Sequence, residues 1–251
     1  MIRETIWQAV GETPHLRVSV PELPSARVYV KLEGWNPTGS VKDRGGLRMI
    51  QEALADGSLR PGMTLLDASS GNMACALAYF GRVMGHPTEV VVSSKLTEDK
   101  RNFLRFYGAT IHQVGDFTIE GNRWCRERVE REGSGHYHFF DQLHNWANPR
   151  AHYEGTGPEI LADFPDVQMV VGSLGSGGTL YGTGLYLREQ RPGVRIVAVE
   201  SAPGTKIPGT GSFSDGDYVT PFIRKGREDG IFDHTVRIHE GDAVRRTLQL
   251  R

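Results

Sequence analysis

A chain of 251 residues with 38% apolar content can bury a full core as one large domain or two small ones. Its 29 basic and 30 acidic residues give a formal charge of −1 with no block of like charge, which argues against nucleic-acid or membrane-surface binding and leaves small polar or ionic ligands as the default partners. No stretch approaches the ~20 apolar residues of a membrane span, and the N-terminus lacks a secretory apolar core, so a cytoplasmic protein is expected.

In chain order, the first strand-like run is VYVKLE (28–33), and NPTGSVKDRGG (36–46) follows it. Ser40 and Asp43 have the spacing of a capping box, which predicts a helix from Lys42. A helix N-terminus disfavours an ammonium, and burial adds to that effect. Lys42 thereby becomes a candidate neutral amine able to attack a carbonyl, although a capped surface helix with a solvated lysine fits the same residues. Gly45 and Gly46 cost the helix roughly 1 kcal/mol each against alanine, so something must approach that backbone closely.

The strand TLLDA (64–68) runs into Ser69, Ser70, Gly71 and Asn72, a turn of hydroxyls and free amides suited to a carboxylate, or an ordinary N-cap turn. After it, Met73, Leu77, Phe80 and Met84 form one apolar stripe of a helix. Further strands are expected at EVVVSS (89–94), TIHQV (110–114) and HYHFFD (136–141). His136 and His138 share a strand face but have no third ligand at suitable spacing, so no metal is expected, and Cys75 and Cys125 fall in helix-like runs as reduced thiols.

MVVGSL (169–174) leads into Gly175, Ser176, Gly177, Gly178 and Thr179, where three glycines let the backbone wrap a phosphate and two hydroxyls add donors. It is not a P-loop, since no Gly-Lys-Ser/Thr follows. Glu200, closing RIVAVE (195–200), stands about where a dinucleotide site places its ribose-binding acid, but Leu180 occupies the position of the third small residue in that pattern. Region 201–231 is rich in Gly, Pro and Ser, shows no period and reads as a functional loop. TVRIHE (235–240) and a terminal helix follow. The alternation predicts an α/β protein with mostly parallel sheets covered by helices.

GETPHLRV, KLEGWNPTGSVKDR, SSGN, NPRAHYEGTGPEI and GSGGTLYGTG occur in this order over nearly the whole chain. They resemble the successive motifs of the pyridoxal-phosphate-dependent cysteine synthases of fold type II, the tryptophan synthase β-like group. NPTGS-KDR and DAVRRT (242–247) are similar to the cysteine synthase M type. The resemblance implies two parallel-type α/β domains, a smaller mobile one at 46–145 and a larger one from 1–45 and 146–251, in a homodimer. It implies that Lys42 carries pyridoxal 5′-phosphate as an imine and removes the substrate α-proton. Asn72 would meet the pyridoxal 3′-oxygen, and Gly175, Ser176, Gly177, Gly178 and Thr179 the 5′-phosphate. Ser69, Ser70, Gly71, Asn72, Met73 and Gln142 would bind the substrate, and the implied reaction is β-replacement on O-phosphoserine or O-acetylserine by a sulfur nucleophile, giving cysteine or a related product.

Arg224, Lys225 and Arg227 fall in a region that, in this family, lies near the active-site mouth, where cations favour a phosphate-bearing substrate. Two departures stand out. The family commonly reads Thr-Ser-Gly-Asn-Thr-Gly where this chain has Ser69 to Ala74, so a hydroxyl is lost and Met73 intrudes. The family pattern also runs beyond Arg251, to a Ser-Ser-Gly-type turn that meets the pyridine nitrogen. The expectation that follows is a truncated larger domain with an exposed stripe of Val244, Leu248 and Leu250, weaker cofactor retention and little turnover. A non-catalytic cofactor- or partner-binding homologue is the alternative.

Overall fold

The computed structural model describes residues 2–249 except 70, 95, 117, 134, 214 and 215. The chain forms two compact units, 1–140 and 141–251.

The first unit opens with an antiparallel hairpin, β1 (His15–Val18) paired with β2 (Val28–Lys31), and continues into helix α1 (Lys42–Ala55). A four-stranded parallel sheet follows, in the order β5-β4-β3-β6, from β3 (Thr64–Ala68), β4 (Thr88–Val92), β5 (Thr110–Gln113) and β6 (Tyr137–Phe139). Its connections are α2 (Asn72–Val83), α3 (Glu98–Phe106) and α4 (Thr118–Glu132).

The inner strands β3 and β4 are buried because both sheet faces are covered. Val90 and Val92 meet Ala74 and Ala78 of α2 and Leu104 of α3, whereas Leu66, Ala68 and Val91 meet Cys125 of α4. The expected stripe of α2 is present: Met73, Leu77 and Phe80 are buried and Met84 caps the helix. After β3 the chain builds outward to β5 and then returns to the other side of β3. The strand order therefore reverses beside β3, and Ser69 to Asn72 follow the carboxyl end of that strand, where open α/β sheets hold ligands.

The second unit carries α5 (Ala147–Ala151), a π-helical turn (His152–Thr156) and α6 (Gly157–Asp163) as one continuous helical run. Next come β7 (Met169–Ser173), α7 (Gly178–Gln190), β8 (Arg195–Ser201), α8 (Pro221–Glu228), β9 (His234–Ile238) and α9 (Glu240–Gln249). β7, β8 and β9 are parallel neighbours in that order. Leu180 and Leu187 of α7, Ile196 and Ala198 of β8, Ile160 of α6 and Ile223 of α8 form the core, while Met169, Val171 and Val236 are exposed. Val244 and Leu248 are exposed on α9, and Leu250 lies outside the described residues.

One expectation changes. The segment FIRKGRE is helix α8 rather than irregular loop. Thr220 caps it by accepting from the Ile223 amide, Pro221 stands at its first position, and a Cβ on Gly226 would come within 2.5 Å of the Phe232 ring. Gly46 serves helix packing, because a Cβ there would lie 3.0 Å from that of Ala76 on α2. Helix α1 packs along α2 within the first unit.

Candidate active site

In the first unit the segment before α1 is fixed by a buried ion pair. Arg44 donates from Nε to Glu33 Oε2 at 2.7 Å and from a terminal nitrogen to Oε1 at 2.8 Å. Thr13 and Asn36 donate to the same carboxylate at 2.6 and 2.9 Å. These donors, Arg44 foremost, hold the Glu33 carboxyl below its usual range against the opposing effect of burial.

Helix α1 begins at Lys42 as expected, but without the expected capping box. Ser40 Oγ accepts from the Lys42 amide at 3.1 Å, while Asp43 turns outward from the helix to accept from the Thr38 amide at 2.6 Å and from the Thr38 hydroxyl. The physical reason is competition: Thr38 brings two donors to Asp43, whereas the Ser40 amide would bring one.

Lys42 stands at the first position of this helix, and burial pushes its ammonium well below the usual lysine range. Among the described residues no carboxylate offsets that burial. The helix dipole acts in the same direction, so the neutral amine is favoured. Cys75 is no competing nucleophile, since burial and the Asp43 charge hold its thiol protonated.

Burial also pushes the Asp43 carboxyl up to about 6, despite its bonds to Thr38. The folded state then holds a proton that the unfolded chain releases above its ordinary value of 3.8. Stability therefore falls as pH rises from about 4 to about 6, and no further above that window. Asp43→Asn should remove this step. In urea unfolding, its stability relative to wild type should rise by about 2–3 kcal/mol between pH 4 and pH 7. A pH-independent difference would contradict the assignment.

The turn after β3 holds Ser69, buried, then Gly71 as N-cap and Asn72 as the exposed first residue of α2. Ser70 lies outside the described residues. Met73 does not intrude on this turn. Its side chain is buried, and its sulfur would sit 3.5 Å from a Cβ on Gly46, in the α1–α2 contact.

In the second unit, the loop after β7 is a backbone cradle. Gly177 has φ +85°, and a Cβ on Gly175 would lie 2.6 Å from the Gly209 carbonyl oxygen. A Cβ on Gly178 would collide with the Asn148 amide at 2.8 Å. The first helical bond of α7 runs from the Tyr181 amide to the Gly177 carbonyl, so the amides ahead of it have no acceptor within the helix. Thr220 donates to the Ser176 carbonyl at 2.6 Å, tying α8 to the loop. Gln142 is half-buried, and its carbonyl accepts from Asn148 at 3.2 Å. Arg224 is exposed on α8, one residue after Ile223, which packs against Gly177. Lys225 pairs with Asp229, and Arg227 stacks over Phe213.

Leu180 is turned inward, against Gly172 of β7, and Glu200 is buried and bonded by Arg237. These are packing roles, at odds with a ribose-binding acid.

The family model described as "Pyridoxal-phosphate dependent enzyme" matches residues 6–248. Cysteine synthase B of Pseudomonas aeruginosa is 37% identical over 242 residues, covering 95% of this chain and 79% of that protein. The chain belongs to the pyridoxal-phosphate-dependent cysteine synthase family. Among solved structures, O-ureido-L-serine synthase superposes with a TM-score of 0.86 at 32% identity, over 96% of this chain and 77% of the other. A hydrogen sulfide-producing enzyme from Fusobacterium nucleatum gives 0.89 at 26% identity, over 100% and 85%.

The residues present fit this cofactor. A phosphate monoester needs amide donors free of competing acceptors and a backbone it can approach, and the start of α7 has both. An aldehyde needs an uncharged amine, and the burial of Lys42 favours one. Sequence reasoning missed Thr13, Glu33 and Arg44 around the first segment, and Asn148, His152 and Thr220 behind the loop. Most of them lie within the motifs GETPHLRV, KLEGWNPTGSVKDR and NPRAHYEGTGPEI, whose polar residues were the available signal.

Proposed function

We propose that this enzyme replaces the β-substituent of an O-activated serine with a sulfur nucleophile, forming cysteine or a related β-substituted alanine. The observation that carries the reading is Lys42, half-buried at the first position of α1, whose ammonium is held below the usual lysine range by desolvation with no carboxylate among the described residues to offset it. Bound pyridoxal phosphate supplies an electron sink for the α-carbon. Lys42 would hold its aldehyde carbon and, once displaced by the substrate, take the α-proton. The amides of Gly175 to Thr179 and the Ser176 and Thr179 hydroxyls would hold its phosphate, and Asn72 its 3′-oxygen. The turn from Ser69 to Met73 would receive the substrate carboxylate, with Gln142 as a further amide donor. Met73 takes part through its backbone, its side chain being committed to helix packing. A cytoplasmic homodimer belongs to the same proposal, as does a discontinuous division that groups 1–45 with 146–251.

The test is cysteine formation from sulfide and each of the two serine esters. Turnover with either supports the reading, whereas cofactor binding without turnover would make this a binding protein. Arg224 sets the ester preference in this proposal, because the neighbouring cations are engaged elsewhere. O-phosphoserine should outperform O-acetylserine, and Arg224→Ala should cut that preference by about tenfold. Equal rates with both esters in both proteins would contradict that role.

A further inference from the structure

The loop that follows β7 carries two hydroxyls, and each has a nitrogen-bearing side chain behind it. Asn148 is 1% exposed, and its Nδ2 lies 3.4 Å from Ser176 Oγ and 3.2 Å from the Gln142 carbonyl oxygen. A carbonyl only accepts, so the amide atom facing Gln142 must be the NH2 group, and Ser176 therefore faces an N–H. His152 is fully buried at the start of the π-helical turn, with Nδ1 2.9 Å from Thr156 Oγ1 and Nε2 3.2 Å from Thr179 Oγ1. The close approach of α7 produces this second contact. A Cβ on Gly182, one turn after Thr179, would lie 2.0 Å from the Pro149 carbonyl oxygen and 3.1 Å from His152 Cβ.

A threonine hydroxyl has one proton. If Nε2 were bare, the Thr179 proton would be used on His152 and none would remain for an anion at the start of α7. If Nε2 carries the proton, Thr179 accepts from His152 and its own O–H is free to point at that anion.

We propose that His152 is a positioning residue, held as the Nε2–H tautomer, which turns the Thr179 hydroxyl proton toward a phosphate group at the start of α7. The chain of donors runs from the Thr156 hydroxyl to Nδ1, from Nε2–H to Thr179 Oγ1, and from the Thr179 hydroxyl to the phosphate. Asn148 does the same for Ser176. Both loop hydroxyls therefore act as donors fixed from behind, where an ordinary serine or threonine would choose its own acceptor. The inference rests on the reading of 175–179 as a phosphate loop.

The decisive measurement is the long-range 15N–1H spectrum of His152 in the wild-type protein with pyridoxal 5′-phosphate bound. The Nε2–H pattern is expected, and an Nδ1–H pattern would overturn the proposal. For the variants, pyridoxal phosphate retention on dialysis and inorganic phosphate affinity are read alongside the thermal midpoint. His152→Leu should weaken phosphate binding about tenfold, and His152→Gln, which restores an N–H donor, should recover most of that loss. Thr179→Val should match His152→Leu, with no further loss in the double variant. Equal phosphate affinity across all five proteins would overturn the proposal. Should His152→Leu fail to fold, the wild-type tautomer decides. A wild-type protein that binds neither pyridoxal phosphate nor phosphate would instead sink the phosphate-loop reading.

Discussion

Replacing Lys42 by alanine should abolish the borohydride-reducible bond to the cofactor and lower β-replacement by about three orders of magnitude or more. The fold should persist. Alanine is the best helix former, and the contacts that start α1 involve Ser40, the backbone of residue 42, Thr38 and Asp43 rather than the lysine amine. The charged lysine is disfavoured in the folded state, so wild-type stability rises with pH as the amine deprotonates in the folded state below the unfolded value of 10.5. Alanine removes that burden, and the cofactor-free variant should melt at the same temperature as wild type or higher at pH 7. Spectral titration, turnover and calorimetry check the three parts. A Lys42→Ala protein that kept a reducible visible band and turned over substrate would show the amine to lie elsewhere.

Gly182→Ala should have the largest effect on the fold. The new methyl would stand 2.0 Å from a backbone oxygen, that of Pro149, and a backbone cannot give way as a side-chain tip can. The helical run 147–163 and α7 would have to separate, at a cost of about 3 kcal/mol or more. Such a shift would also pull His152 from Thr179 and Asn148 from Ser176, so cofactor retention should fall together with the melting temperature. Chemical unfolding and dialysis measure both. Wild-type stability and retention would contradict the packing described for this helix pair. Gly193 makes a control: a Cβ there meets nothing within 4 Å, so Gly193→Ala should be close to neutral.

Eight of the strands were legible as apolar or alternating runs bounded by turn residues; β3 and β4, buried along most of their length, are the plainest of them. β1 was not, since it is four residues long, too short for its alternation to stand out, and it pairs with β2 at the edge of a two-stranded sheet. α8 was hidden by composition. Pro221 and Gly226 look like loop residues until Thr220 is seen to cap the helix and Phe232 to fill the space beside Gly226.

At the site, the position of Lys42 at a helix start was readable from local spacing, but what holds it was not. The Glu33–Arg44 pair joins residues eleven apart, and Thr38 outcompetes the local cap for Asp43. The glycines after Lys42 were legible as a close approach, yet their partner, α2, is a tertiary fact. The backbone cradle after β7 was legible because its glycines lie close together in sequence. The layer behind it was not, because Asn148 and His152 reach it from a helical run about thirty residues earlier.

Lys42 is the amine proposed to hold the cofactor. Reconstitution with pyridoxal 5′-phosphate, reduction with borohydride and peptide mapping by mass spectrometry address it directly. A stoichiometric phosphopyridoxyl adduct on the peptide that contains Lys42 is expected. Absence of an adduct, or its distribution over other lysines with the Lys42 peptide unmodified, would contradict it.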